Sequence, residues 1–456
     1  MKASHNLRPV FDDPNLVGSA GLVPLLLLAE SAGMHDLLDE QLTVNSPNQV
    51  VKAGGVVAGM LAGADSIEDM DRLRHGAMPT LFAGIRAPST LGTYLRTFTH
   101  GHVQQVDAAA SRLLAGLTAR VPGLIAGADH PAGIAYLDVD DTIREVHGYR
   151  KEGAAFGYSG VRGLNAQLAC VSTPVAAPVI AAARLRRGNT ASGKGGGRLL
   201  TQAVTTARRA GVTGRVLVRA DSAYYHHDFI AAAVRARAWF SVTARMNKAV
   251  TAAIARIPED AWTPIKYPQA VWEEAEQRWV SDAEVAETEF TCFTSRRKAD
   301  HIACRLVVRR VKRLQPPGQG ELFDAYRHHA FVTNSTLSTV DADREHRGHA
   351  VVEQVIAELK DGPLAHLPSG KYAANAAWVA HAVIAFNLAR AAGVLASNRH
   401  ARARWATLRT QLINTPGRVA SSARRLTLHL PLDWPWADAW QTLFDGTAGS
   451  PPAQAA

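Results

Sequence analysis

Cysteine is scarce in this chain of 456 residues. Cys170, Cys292 and Cys304 are odd in number and show no CxxC spacing, which excludes a disulfide framework and a zinc ribbon and fits small apolar fillers in a reducing compartment. No charged-then-apolar leader opens the sequence, and the apolar run Leu22 to Leu28 is too short to span a bilayer. The expectation is a soluble cytoplasmic protein with no membrane partner. The P-loop pattern GxxxxGK[ST] is absent too, so the run from Ser192 to Gly197 reads as a flexible basic loop. No internal repeat is visible. Acidic residues are missing from Ala396 to Leu432, a stretch holding Arg399, Arg402, Arg404, Arg409, Arg418, Arg424 and Arg425. With a net charge of +10, that bias favours a polyanionic partner such as DNA.

What is present falls into segments. Residues 1–15 read as a loose arm and 16–125 as a helical, DNA-binding module. In that module Ala87-Pro88-Ser89-Thr90 resembles a helix start capped by Ser89 or Thr90. A Gly/Pro-rich break follows at Pro122 to Pro131, and then the pattern turns to β. Ile134 to Asp140, Leu164 to Ser172 and Val179 to Leu185 predict an antiparallel meander. Leu199 to Ala210 predicts a helix, Arg215 to Ala220 a strand buried on both faces, His227 to Arg237 a helix and Trp239 to Ala244 a further strand. Residues 132–246 thus form the first part of an α/β core.

Residues 247–334 read as a β-rich insertion. Arg305, Arg309, Arg310, Lys312 and Arg313 give it a positive edge, suited to nucleic acid or to protection of an edge strand. The second part of the core, 335–395, carries an amphipathic helix from His346 to Asp361 and a long helix from Tyr372 to Leu395. A basic, helical C-terminal region (396–445) and a disordered tail (446–456) complete the chain.

The densest chemical signal is Leu137-Asp138-Val139-Asp140-Asp141-Thr142 at the end of the first strand. Alternation sends Asp138 and Asp140 to one face, where they repel unless a cation lies between them. Asp221 emerges at the end of the buried strand Arg215 to Ala220. On the late helix, His349, Glu353 and Lys360 share a flank with His346. A carboxylate ending a first strand, three antiparallel strands, a carboxylate after the fourth strand and one on a late helix is the order of the ribonuclease H-like fold. Oxygen-only ligands of this kind select two Mg²⁺ or Mn²⁺.

The sequence also resembles the DDE transposases of bacterial insertion sequences, and within them the insertion sequence 1380 group, related to the insertion sequence 4 group. The matching words are LDVDDT (Leu137 to Thr142), HGYRKEGAAFGYSGVRG (His147 to Gly163), LRRGN (Leu185 to Asn189), VRADS (Val218 to Ser222) and VEQVIAELKDG (Val352 to Gly362). ANAAW (Ala374 to Trp378) and APST (Ala87 to Thr90) extend the likeness, which covers about Leu73 to Pro435.

The resemblance implies that Asp140, Asp221 and Glu353 are the catalytic, metal-holding triad. Asp138 is an additional metal candidate, and the choice among Asp138, Asp140 and Asp141 stays open because the family has a small hydroxyl residue where Asp141 stands. It implies phosphate contacts from the positions of His346, His349 and Lys360, although the family has Tyr and Arg where the two histidines stand; Arg347 is placed to supply the lost charge. It further implies cut-and-paste transposition. The protein would bind terminal inverted repeats as a homodimer or larger assembly, cleave with metal, and transfer strands to target DNA, in association with the nucleoid. Trp262, Trp272 or Trp279 would then either hold a flipped base or pack the core. Two alternatives remain: an inactive DNA-binding derivative, and a nuclease without strand transfer.

Overall fold

The computed structural model describes residues 5–148, 150–267, 271–274, 278–280, 283–312, 326–423 and 425–448. Two compact units divide the chain: a sheet-centred unit of residues 122–357, and a helical unit made from residues 1–121 and 358–456.

In the first unit, Ile134–Glu145 (β1) pairs antiparallel with Arg162–Ser172 (β2), which pairs antiparallel with Val179–Arg187 (β3). Helix Gly196–Arg209 leads to Arg215–Ala220 (β4), parallel to β1, and helix His227–Arg235 leads to Trp239–Thr243 (β5), parallel to β4. Val216, Leu217 and Val218 are buried, as expected of a continuous apolar run in a strand covered on both faces.

Apart from a short two-stranded ribbon, the segment expected as an insertion does not form a sheet of its own. Its long strands, Ala283–Cys292 (β6), Ile302–Lys312 (β7) and Tyr326–Thr333 (β8), extend the same ten-stranded sheet, in which, two two-residue strands aside, the order is β3-β2-β1-β4-β5-β8-β7-β6, with β8 antiparallel to β5. This corrects the reading of β7 as a positive edge. β7 is an inner strand whose arginines lie among carboxylates: Arg305 on Glu287 at 2.7 Å, Arg309 on Asp343 at 2.6 Å, and Arg310 on Glu284 at 2.6 Å and Glu259 at 2.8 Å. Arg313 lies outside the described residues.

In the helical unit, Tyr372–Ala396 packs against Gln49–Ala62, Pro88–Arg96 and His100–Arg120. It is long and apolar enough to cross a membrane by length and composition, yet 89% of its apolar window is buried within the protein. Burial nearly all round is what makes it the central helix of this unit, and it is not part of the sheet-bearing core to which 335–395 was assigned. Its polar residue Arg390 donates to both oxygens of Glu358 at 2.7 and 2.8 Å, and that carboxylate also accepts the Trp405 N–H.

Pro88–Arg96 begins one residue before the expected cap: Ala87 is the N-cap and Pro88, with its pre-set φ, opens the first turn. The C-terminal region is only partly helical. Gly417–Ser422 and Arg425–His429 form a hairpin, joined by Leu16–Val17 just beyond the arm, and the Val419 N–H donates to the Asn15 carbonyl at 2.9 Å. Helix Ala437–Ala448 takes in the first residues of the expected tail, the remainder of which lies outside the described residues.

Candidate active site

In the parallel pairing of β1 with β4, Asp138 stands opposite Arg219 and Val139 opposite Ala220. Asp221 is the first residue beyond β4, and Asp140 is the next residue along β1, which runs on to Glu145 instead of ending at the acids as expected; the two carboxylates therefore come at adjacent positions of neighbouring strands. The three acids of β1 meet three different environments.

Asp138 is wholly buried, and one guanidinium takes both its oxygens: Arg219 Nε donates to Oδ1 at 2.6 Å and Nη2 to Oδ2 at 2.8 Å. The same arginine donates through Nη1 to the Glu345 carbonyl at 2.8 Å and lies over the Tyr136 ring at 4.2 Å. This corrects the expectation of Asp138 as an additional metal ligand, because it is sealed from solvent and its charge is already balanced inside the protein.

Asp141 is bound on the other face of the strand. It accepts from Arg186 Nη2, from Asn165 Nδ2 at 2.7 Å and from Ser192 Oγ at 2.9 Å. Arg186 Nη1 also donates to the carbonyls of Ala191, Ser192 and Lys194. The glycine-rich loop expected to be flexible is therefore tied down next to the acids. Gly193 is needed there, since a Cβ would come within 2.0 Å of the His226 ring.

Asp140 keeps the fewest hydrogen bonds of the three, accepting the Asp141 N–H at 2.7 Å. Its pKa is pushed up to about 7, first by burial and then by the negative charges of Asp221, Asp141 and Glu353, against the pull of that N–H. Asp221 caps the short turn Ser222–Tyr224 by accepting the Ala223 N–H at 2.9 Å. Solvent reaches Asp221, but the surrounding protein raises its pKa, Asp141 adds to the rise, and the Ala223 N–H and His349 oppose it. Glu353 is exposed in the first turn of helix Val351–Lys360, at the positive end of the helix dipole.

Among the described residues, no three His, Cys, Asp or Glu side chains are gathered into a cage for a metal ion. The donor chemistry nevertheless fits a hard divalent cation. A carboxyl whose ionisation is opposed by burial and by three neighbouring acids gains charge compensation when such an ion binds.

A family model described as Transposase DDE domain group 1 matches residues 2–448. The chain belongs to that family. No curated protein matches it. Membership implies a DNA-cleaving transposase with DNA as its partner, in a family that generally uses divalent metal ions.

In this DDE transposase the stretch around Glu353 is not one helix from His346. Helix Thr339–Arg347 ends, Gly348–Ala350 forms a tight turn, and a second helix starts at Val351. Gly348 suits the junction, since a Cβ there would come within 2.7 Å of Arg219 Nη1. The break removes His346 from the flank of Glu353. Its ring is buried, stacked on Phe331 with centroids 4.1 Å apart, and its nitrogens meet Ser241 Oγ at 2.8 Å and Thr243 Oγ1 at 3.1 Å. Burial holds its pKa well below the usual histidine value. A neutral ring with both nitrogens engaged has nothing to offer a phosphate, which corrects the expectation for His346.

Arg347 is half-buried and binds Asp343 through Nε at 2.9 Å. His349 is partly exposed, with Nδ1 on the His346 carbonyl at 2.7 Å. Lys360 closes the last turn of the Glu353 helix. Trp262 is buried under Arg310, 4.2 Å from its ring, and takes the packing role. Trp272 and Trp279 stand opposite each other in a two-stranded ribbon.

Sequence reasoning missed Arg219, Arg186, Asn165 and Ser192. Arg219 left one signal: a charge directly after the apolar run Val216 to Val218 of a buried strand requires a buried partner.

Proposed function

We propose that this protein is an insertion-sequence transposase of the insertion sequence 1380 group, with a ribonuclease H-like core, that cleaves DNA at terminal inverted repeats and joins the ends to target DNA. The strand order β3-β2-β1-β4-β5, with β1, β4 and β5 parallel, supports that core. Asp140, Asp221 and Glu353 are the catalytic acids. The observation that carries the assignment is Asp140, in β1 beside the end of β4 where Asp221 emerges, with its pKa raised by burial and by the charges of Asp221 and Glu353.

Two bound Mg²⁺ or Mn²⁺ would supply Lewis-acid stabilisation of the attacking and leaving oxygens of a phosphodiester. The protein's part is to hold three carboxylates ready. Arg219 fixes Asp138 and the end of helix Thr339–Arg347, Asp141 and Arg186 fix the loop at Ser192, and Asp221 is held by its own capped turn. His349, Lys360 and the outer edge of Arg347 contact phosphates. The exposed Arg399, Arg402, Arg404, Arg418 and Arg425 and the N-terminal helices bind the DNA ends. Action on two ends requires at least a dimer in the synaptic complex.

The test is Mg²⁺-dependent cleavage of labelled DNA carrying the element's ends, comparing wild type with Asp221→Ala. Cleavage by wild type and its loss in the variant, with DNA binding retained, supports the triad. Binding without cleavage by wild type would sink the reading in favour of an inactive derivative, and cleavage without joining would favour a nuclease.

A further inference from the structure

Cys292 ends β6 and Cys304 lies in β7. In the register Phe290 faces Cys304 and Cys292 faces Ile302, so the two cysteines are diagonal neighbours on one face of the sheet. Their sulfurs are 3.4 Å apart. Cys292 is buried, while Cys304 is partly open to solvent. The chain leaves β6 through Phe293, at φ +64°, into the turn that precedes β7. A strand end beside a turn can supply the small movement that brings two sulfurs to the bonding distance of about 2.05 Å.

The pair also touches the segment behind Asp221. Tyr225 Oη donates to Cys292 Sγ at 3.5 Å, and the Tyr225 ring lies 5.4 Å from that of Phe293. Tyr225 directly follows the turn that Asp221 caps.

We propose that Cys292 and Cys304 are a reversible oxidation site, and that their disulfide takes the sulfur acceptor away from Tyr225 and loosens the turn behind Asp221. The oxidant is a peroxide. With hydrogen peroxide, the Cys292 sulfur attacks one oxygen, the O–O bond breaks, one water leaves and Cys292 becomes a sulfenic acid. The Cys304 sulfur then attacks that sulfur, the S–O bond breaks, and the hydroxyl leaves with the Cys304 thiol proton as a second water. Two thiols are oxidised and one peroxide is reduced to two waters. The contact between the two sulfurs favours this order, because it lowers the pKa of Cys292 and raises that of Cys304. A dithiol reverses the bond by exchange.

The experiment uses the full chain without DNA or metal, so its outcome is separate from that of the transposase reading. The protein is treated with hydrogen peroxide, alkylated, digested and analysed by mass spectrometry, alongside Cys304→Ser. Wild type is expected to give a linked Cys292–Cys304 peptide that dithiothreitol removes. Cys304→Ser is expected to give no link and a sulfenic acid at Cys292 trapped by dimedone. Amide exchange over residues 222–226 should rise several-fold on oxidation of wild type and stay unchanged in Cys304→Ser. Cysteines that remain alkylatable, pass to sulfinic acid or link only between chains would overturn the oxidation site. Unchanged exchange in a linked protein would overturn the coupling to the Asp221 turn.

Discussion

Arg219 holds Asp138 by two hydrogen bonds, at 2.6 and 2.8 Å, where both side chains are almost completely hidden from solvent. A third bond from the same guanidinium reaches Glu345, on the helix that precedes the one bearing Glu353. A single buried ion pair thus connects the strand of Asp140, the strand leading to Asp221 and the approach to Glu353.

Breaking that pair should be costly. Arg219→Met leaves a buried carboxylate without its counter-charge, a loss of about 3–5 kcal/mol. Urea unfolding checks it, and the double variant Arg219→Met/Asp138→Leu should recover most of the loss. A single variant as stable as wild type would refute the role given to this pair.

Asp140 predicts a pH dependence of a definite sign. Burial and the neighbouring acids push its carboxyl up to about 7 in the folded protein from 3.8 for the ordinary group, so the folded state binds the proton more tightly. Its contribution to stability is intact below about pH 4 and is lost as pH rises towards 7, an effect on the order of a few kcal/mol. Without metal, Asp140→Asn should flatten this slope and be more stable than wild type at pH 8. Mg²⁺ should raise the melting temperature of wild type at pH 8 and leave that of Asp140→Asn unchanged. Calorimetry across pH decides it.

Asp141→Ala should act through the loop. It removes the acceptor of Arg186, Asn165 and Ser192 together, at a cost of about 2–3 kcal/mol. Amide exchange over residues 190–195 should accelerate. A loop that stays protected in the variant would show that the Arg186 bonds to its carbonyls suffice.

Glu353 and His346 should separate chemistry from packing. Glu353→Gln, at an exposed position, should change stability by less than about 0.5 kcal/mol while abolishing Mg²⁺-dependent cleavage. His346→Ala removes a ring stacked on Phe331 and should cost about 2 kcal/mol, with no change in the salt dependence of DNA binding. His349→Ala and Lys360→Ala should leave the fold intact, and Lys360→Ala should lower the salt-dependence slope by about 1. Filter binding across a salt series gives these slopes.

The sequence by itself determined the strand and helix order of the sheet unit, because alternation in β1, the doubly buried run of β4 and the helical spacing after Val351 are local patterns. It also determined that Asp221 follows the end of β4, whereas the continuation of β1 past Asp140 to Glu145 came from its pairing with β2. Tertiary structure alone decided which acids were already spent. Asp138 and Asp140 share a face in the sequence pattern, but only the pairing of β1 with β4 puts Arg219 on Asp138, and only the return of β3 puts Arg186 on Asp141. The inner position of β7, the break at Gly348 that buries His346, and the placement of helix Tyr372–Ala396 among the N-terminal helices likewise depend on partners distant in the chain. Local periodicity reports which face of an element is apolar and is silent on what covers it.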